Sequence, residues 1–142
     1  MIGERILLTL WVGGLWTIGF IVAPTLFASL DDRALAGTLA GSLFELIAWI
    51  GLVCGVGLLI ANRFQFRDRL INWRMLVLLA MLALVVIGQF VLAPLIADLR
   101  ASGATDSSLF ARLHGLAATL YMLTSLLGLA LVAAPPEVTR NA

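Results

Sequence analysis

The chain has 142 residues, of which 62% are hydrophobic and 12% are charged, whereas soluble domains contain roughly 45–50% apolar and 25% charged residues. Together with a mean hydropathy of +1.09, this composition excludes a soluble globular domain and predicts an integral membrane protein. The formal net charge is only +1, so nothing indicates nucleic acid or another polyanion as a partner.

Charged residues separate four apolar stretches, each long enough for the roughly 20 residues with which a helix crosses the hydrocarbon core. We expect helices over about residues 6–27, 35–61, 71–97 and 109–132, within one integral membrane domain, residues 1–142. Runs of this length in so short a chain cannot close a barrel, and backbone polar groups in lipid must be paired internally. The predicted fold is therefore an all-α, polytopic bundle of four transmembrane helices.

The first stretch could also be a secretory signal peptide, which has a basic start and an apolar run of roughly 7–15 residues. Here Glu4 cancels the charge of Arg5, and the apolar run continues well beyond that length, to Phe27. We therefore expect a retained helix whose partner is the lipid bilayer.

The residues that flank the stretches predict where helices begin and end. Asp31 and Asp32 are candidate N-caps of the second helix, and a Ser or Asp of "ASGATDSS" is the candidate cap of the fourth. The pair Pro135 and Pro136 should stop the fourth helix. The lone Cys54 lies in an apolar run, can form no intrachain disulfide, and is interpreted as a small core residue.

Arginine sets the expected orientation, since the chain has no Lys. Six arginines lie on the side of the two termini and of the connection between spans two and three, namely Arg5, Arg63, Arg67, Arg69, Arg74 and Arg140. Three lie on the opposite side, namely Arg33, Arg100 and Arg112. This asymmetry favours both termini in the cytoplasm, in a multi-pass protein of the cell inner (plasma) membrane. Trp11 and Trp73 are typical of interfacial anchors.

A sequence echo relates the first and third spans. "FIVAPTLFASL" from Phe20 returns as "FVLAPLIADLR" from Phe90, so Phe, Ala and Pro recur at one constant offset. In the expected orientation both spans run outward, and we expect helix bends near their outer ends at Pro24 and Pro94. Two parallel helical hairpins related by a pseudo-two-fold axis would explain the echo. Chance resemblance between apolar sequences remains the alternative.

Polar side chains within apolar spans are costly, so each needs a partner or a purpose. Four of them fall in the outer half of the spans: Glu45, Gln89, Arg112 and His114. Glu45 follows Gly37 and Gly41 at helical spacing, and His114 is followed at such spacing by Tyr121, Ser125 and Gly128. Because small residues let helices approach closely, we expect both Glu45 and His114 to point into the bundle.

These four residues allow two interpretations. One is a polar pocket open to the outside and roofed by the bends at Pro24 and Pro94. The other is a structural network in which Glu45 pairs with Arg112 or His114 and holds the helices in register. A metal site would need several converging ligands, and the chain offers one His, one distant Cys and one intramembrane Glu. We therefore expect no metal or haem; a bis-His haem would need His114 from two subunits.

Several elements follow one another in a recognisable order: Gly-Gly at 13–14, Ala-Pro-x-Leu-Phe at 23–27, Ala-Gly-x-x-Ala-Gly at 36–41 and Leu-His-Gly at 113–115. In these elements the chain resembles bacterial members of the domain of unknown function 4149 family, the transmembrane protein 205-like proteins. The resemblance implies a four-helix inner-membrane protein and little biochemistry. In that family the His-Gly pair usually has Ser two residues later, where this chain has Ala117.

Three function classes remain open on these observations. A transport or binding subunit for a small solute or ion, homo-oligomeric because four short helices enclose little space, would lose activity when Glu45 or His114 is replaced. A structural or accessory protein without a ligand would lose stability instead. A haem or metal carrier would lose its absorbance or metal in His114→Ala. No nucleophile elbow, phosphate loop or HExxH pattern is present, so we do not expect an enzyme.

Overall fold

The computed structural model describes residues 2–65 and 71–134, and four long helices make up nearly all of these residues. The helices span Ile2–Ser29, Arg33–Gln65, Trp73–Ala101 and Ser108–Ala133. All four are long and apolar enough to cross a membrane, which confirms the predicted fold. Arg67, Arg69, Pro135, Pro136 and Arg140 lie outside the described residues.

Side chains next to the starts of the second and fourth helices accept hydrogen bonds from backbone N–H groups of the first turn, which have no partner within the helix. Asp32 Oδ1 accepts hydrogen bonds from the N–H groups of Ala34 and Leu35 at 2.9 and 3.1 Å. Ser107 Oγ accepts from the N–H of Phe110 at 3.1 Å. Both predicted caps are thereby confirmed.

The helices form a ring in which each packs against the next and the fourth returns to the first. The first and third helices therefore lie across the bundle from each other. The core between them contains Trp11, Cys54 and Met81, of which Trp11 and Met81 are fully buried. Cys54 is a buried core residue, as expected, but Trp11 is no interfacial anchor, because its ring fills the centre of the bundle. Trp73, at the start of the third helix, is 40% exposed.

Polar contacts join the helices at the end where the first helix begins and the second ends, which we call the basic end. Arg74 Nη2 lies 2.6 Å from Glu4 Oε1 and connects the first helix to the third. Asn72 Nδ2 donates a hydrogen bond of 2.9 Å to Asn62 Oδ1. Asn72 also caps the third helix, since its Oδ1 accepts from the N–H of Met75 at 2.8 Å. These contacts fix the basic end of the two hairpins relative to each other.

A π-helical turn interrupts both the first and the third helix immediately before its Ala-Pro pair. The turns are Ile18–Val22 and Gly88–Leu92, and they are separated by the same offset as the two copies of the sequence echo. In each turn the N–H of the following Ala reaches back to the first residue of the turn, from Ala23 to Ile18 O and from Ala93 to Gly88 O. A rare conformation repeated at equivalent positions favours internal duplication over chance resemblance.

Beyond these turns the helices run on toward the opposite end of the bundle, the proline end. There Ala23–Ser29 packs against the second helix, and Ala93–Ala101 packs against the fourth. Each terminal segment thus packs on the following helix of its own hairpin, while the main contacts between hairpins lie nearer the basic end. Fewer contacts therefore join the hairpins toward the proline end, and we call the two seams between them there the first–fourth cleft and the second–third cleft.

Candidate polar site at the proline end

Arg100 reaches across the second–third cleft from the third helix to the second. Its Nη2 and Nε atoms lie 3.5 and 3.7 Å from the point where a Cβ of residue 37 would stand, and its Nη1 lies 3.5 Å from the corresponding point at Gly41. The guanidinium therefore lies over these two glycines, which are one helical turn apart. We call this contact the seat of Arg100. From the sequence we expect another helix to pack closely against this face of the second helix. In the structure the charged side chain of Arg100 lies against it.

The guanidinium of Arg100 lacks a charged partner in the part of the chain that the structure describes. Arg100 is half-buried, and among residues 2–65 and 71–134 no hydrogen bond or ion pair engages its side chain. Asp32, at the start of the second helix, directs Oδ1 to two backbone N–H groups instead. A half-buried guanidinium with five unmatched N–H donors is therefore available to an acceptor from outside.

Glu45 lies on the helix face of this seat, one turn farther from the proline end than Gly41. Its side chain is exposed, so the expectation that it points into the bundle is wrong. The core face of the second helix is formed by Ile47, Cys54 and Leu58. Because each residue turns the helix by about 100°, Glu45 points roughly 200° away from Ile47.

Gln89 also belongs to the surroundings of the second–third cleft. It is half-buried within the second π-helical turn. The next residue, Phe90, makes an edge-to-face contact with Trp49 of the second helix, with ring centroids 5.7 Å apart. Since Trp49 follows Glu45 by one turn, Glu45 and Gln89 lie on neighbouring levels of the two helices that border this cleft.

His114 lies instead at the first–fourth cleft. As the spacing predicts, its helix face continues through residues that contact the first helix: Tyr121 donates to Leu15 O at 2.6 Å, and Ser125 O accepts from Trp16 Nε1 at 3.2 Å. His114 lies two helical turns closer to the proline end than Tyr121. At that level the end of the first helix packs mainly on the second helix. His114 is therefore exposed, contrary to expectation, and its ring stacks on Phe110 at 5.9 Å.

Arg112 and His114 cannot share one pocket, because residues two positions apart point to nearly opposite sides of a helix. Arg112 is exposed. Throughout the described residues no hydrogen bond or ion pair joins any two of the four side chains from which the sequence predicts a pocket or network. The structure places Glu45 and Gln89 beside one cleft, His114 at the other, and Arg112 on a separate side of the fourth helix.

The position of Glu45 makes a missing partner costly. It lies three helical turns inside the start of the second helix at Arg33, about 18 Å along the axis. A charged side chain near the middle of a membrane helix costs about 2.5–3.5 kcal/mol on insertion scales. No partner of its own chain compensates this cost within the described residues.

Sequence reasoning missed Arg100, although one signal for it was present. In the echo, Arg100 of the second copy replaces Leu30 of the first, and a charge gained at a repeated position marks a difference between the hairpins. For metal binding, residues 2–65 and 71–134 contain no group of three or more His, Cys, Asp or Glu side chains that could hold an ion.

Comparison with known proteins places this arrangement within a family. The family model described as "Domain of unknown function (DUF4149)" matches residues 6–105. No curated protein and no solved structure matches the chain. The match includes both π-helical turns, Glu45, Gln89 and Arg100, and it ends before Arg112 and His114. Since it covers more than half of the 142 residues, the chain belongs to the domain of unknown function 4149 family.

Proposed function

We propose that this protein is a membrane subunit that binds a small polar solute or ion in the second–third cleft. The observation that carries the proposal is the seat of Arg100, whose half-buried guanidinium rests on Gly37 and Gly41 with no partner among the described residues. Leaving a partly buried charged donor unmatched costs free energy, and a bound solute would recover it.

The backbone supports a site that is open toward the proline end. Beyond the two π-helical turns, the ends of the first and third helices pack mainly on the following helix of their own hairpin. Glu45 and Gln89 add a carboxylate and an amide near the same cleft, which gives it the mixed polar groups typical of solute sites. We propose binding or transport here, without an enzymatic reaction.

For the cellular setting, we propose the inner membrane of a bacterium, with both termini in the cytoplasm. The support is the excess of arginine on the basic end, and a transmembrane protein 205-like assignment agrees with it. The proline end then faces outward, so the second–third cleft would receive its solute from outside the cell. We further propose a homo-oligomer, because four helices enclose little space.

Native mass spectrometry with lipid and metal analysis tests the binding proposal. Wild-type protein purified in detergent should retain a small ligand that Arg100→Gln and Glu45→Gln both lose. Arg5→Gln and Asp106→Asn make the same chemical changes at exposed residues outside the cleft and should keep the ligand. The same spectra count the subunits in the homo-oligomer.

The seat of Arg100 also favours a second candidate, a structural or accessory membrane protein without a ligand. In that case the contact of Arg100 with Gly37 and Gly41 serves only to hold the third helix against the second. Wild type and variants would then all be free of ligand, and Arg100→Gln would melt at a lower temperature than Arg5→Gln. This pair of results would rule out the binding proposal.

A further inference from the structure

We infer that the solute of the second–third cleft is a zwitterion, whose anionic group meets Arg100 and whose cationic group meets Glu45. The inference rests on the proposed function and names the class of its ligand. It comes from two opposite charges beside one face of the second helix, Glu45 from that helix and Arg100 from the third, each lacking a side-chain partner within the described residues.

Arg100 and Glu45 lie at neighbouring levels of the second–third cleft. The guanidinium of Arg100 lies over Gly37 and Gly41, and Glu45 is the next residue of that face, four positions after Gly41. Four residues rise by about 6 Å along a helix. The carboxylate and the guanidinium are thus neighbours along the cleft, yet they do not form an ion pair.

The charged residues nearest to this pair along the chain are exposed at the same end of the bundle. Asp98 is exposed and lies two residues before Arg100, so the two side chains leave the third helix in different directions. Asp32 caps the second helix, and its neighbour Arg33 is exposed at the mouth of the cleft, where water screens its charge. Arg100, which is half-buried, and Glu45, which is exposed beside it, are therefore the two charges that border the cleft away from its mouth.

Two opposite charges side by side discriminate between classes of ligand. A simple anion on Arg100 would be repelled by Glu45, and a simple cation on Glu45 would be repelled by Arg100. A molecule that carries both charges satisfies both groups and leaves the occupied cleft neutral, which suits a site at membrane depth. The half-buried amide of Gln89 offers a further donor and acceptor on the third helix.

Three molecules of equal chain length test this inference: γ-aminobutyrate carries both charges, while butyrate and n-butylammonium each carry one. Binding to the purified full-length protein is measured by isothermal titration calorimetry. We expect γ-aminobutyrate to bind wild type at least tenfold more tightly than butyrate or n-butylammonium does. Arg100→Gln and Glu45→Gln should each weaken it at least tenfold, whereas Arg5→Gln should not.

The variants should also exchange their preferences, which a merely unfolded protein would not do. Glu45→Gln removes the repulsion of anions, so butyrate should bind it as tightly as γ-aminobutyrate. Arg100→Gln should likewise bind n-butylammonium as tightly as γ-aminobutyrate. If butyrate already binds wild type as tightly as the zwitterion, the cleft is a simple anion site and the inference is wrong.

Failure of this inference is distinguishable from failure of the proposed function. If none of the three molecules binds, but native mass spectrometry finds a ligand of a single charge sign that Arg100→Gln loses, the zwitterion inference is wrong and the binding function stands. If none of the three molecules binds and the purified protein retains no ligand, both the zwitterion inference and the proposed binding function are wrong. A direct ion pair between Glu45 and Arg100, seen as coupled losses of stability in the two variants without any binding, also overturns both.

Discussion

The hydroxyl of Tyr121 donates a hydrogen bond of 2.6 Å to the backbone carbonyl oxygen of Leu15, joining the fourth helix to the first. The carbonyl of Leu15 lies just before the π-helical turn Ile18–Val22. The ring of Tyr121 packs edge-to-face on Phe44 of the second helix, 4.9 Å away, and contacts Gly19. One side chain therefore connects three helices where the hairpins begin to separate.

Removing only this hydroxyl should weaken the bundle measurably. Tyr121→Phe keeps the ring contacts and deletes the bond to Leu15, and hydrogen bonds between membrane helices average about 0.6 kcal/mol and reach about 1.7. We expect the free energy of unfolding, measured by detergent titration, to fall by about 0.5–1.5 kcal/mol. Thr119→Ala removes an exposed hydroxyl that bonds only within its own helix, to Gly115 O, and should cost less. Equal stability of Tyr121→Phe and wild type would contradict this interpretation of the contact.

Gly19 and Gly13 provide a matched pair in the first helix. A Cβ at Gly19 would overlap the ring of Tyr121, whereas a Cβ at Gly13 would meet no atom within 4 Å. Overpacking typically costs about 1–3 kcal/mol, and Ala is favoured over Gly in an open helix position by up to about 1 kcal/mol. Thermal melts should therefore show Gly19→Ala below wild type and Gly13→Ala at or above it. Lower stability of both variants would mean that Gly13 is also packed against something.

The sequence predicted those features that depend on local signals. The bilayer thickness sets the length of an apolar run, so the four spans could be located. The caps at Asp32 and Ser107 depend only on residues next to each helix start. The constant offset between the two copies of the echo predicted equivalent positions in the first and third helices. It did not predict that a π-helical turn would occupy both positions.

Side-chain directions at the candidate site depended on neighbouring helices and were harder to predict. The sequence indicates that Glu45 lies on a face of small residues. It does not indicate that the core face of this helix is formed by Ile47 and Cys54 instead. The face of His114 was correct, since Tyr121 on it contacts the first helix. His114 itself is exposed because the first helix turns away, and that turn is determined by a different segment of the chain. The contact of Arg100 with Gly37 and Gly41 could not be predicted without knowing the register of the third helix against the second.

Asn72 performs two tasks that two substitutions can separate. Its Oδ1 caps the third helix at Met75, and its Nδ2 donates to the buried Asn62. Asn72→Ser should keep the cap and lose the amide contact, whereas Asn72→Ala loses both. A cap contributes about 1 kcal/mol, so Asn72→Ala should be less stable than Asn72→Ser by about that amount in the same detergent titration. Identical stabilities would show that the cap contributes nothing here.

Glu4 and Arg74 occupy equivalent positions of the two hairpins, since Arg74 follows Glu4 by the same offset that separates Pro94 from Pro24. They meet across the bundle at 2.6 Å, with side chains only 11% and 17% exposed for Arg74 and Glu4 respectively. Two hairpins related by a pseudo-two-fold axis would show such a contact if both residues lay near the axis, so the pair agrees with the predicted internal duplication. Removing one member leaves the other charge partly buried without this partner.

A double-mutant cycle measures how strongly the two residues are coupled. Glu4→Gln and Arg74→Gln should each lower the free energy of unfolding by about 1–3 kcal/mol, because truncating one member of a largely buried pair is more costly than losing an exposed one. The double variant should be more stable than the sum of the two losses predicts, with a coupling of about 1–2 kcal/mol. Arg5→Gln, an exposed neighbour in the first helix, should change stability by less than about 0.5 kcal/mol. Additive losses would mean that the pair does not hold the hairpins together, and the contact between the hairpins at the basic end would then depend on Asn62 and Asn72.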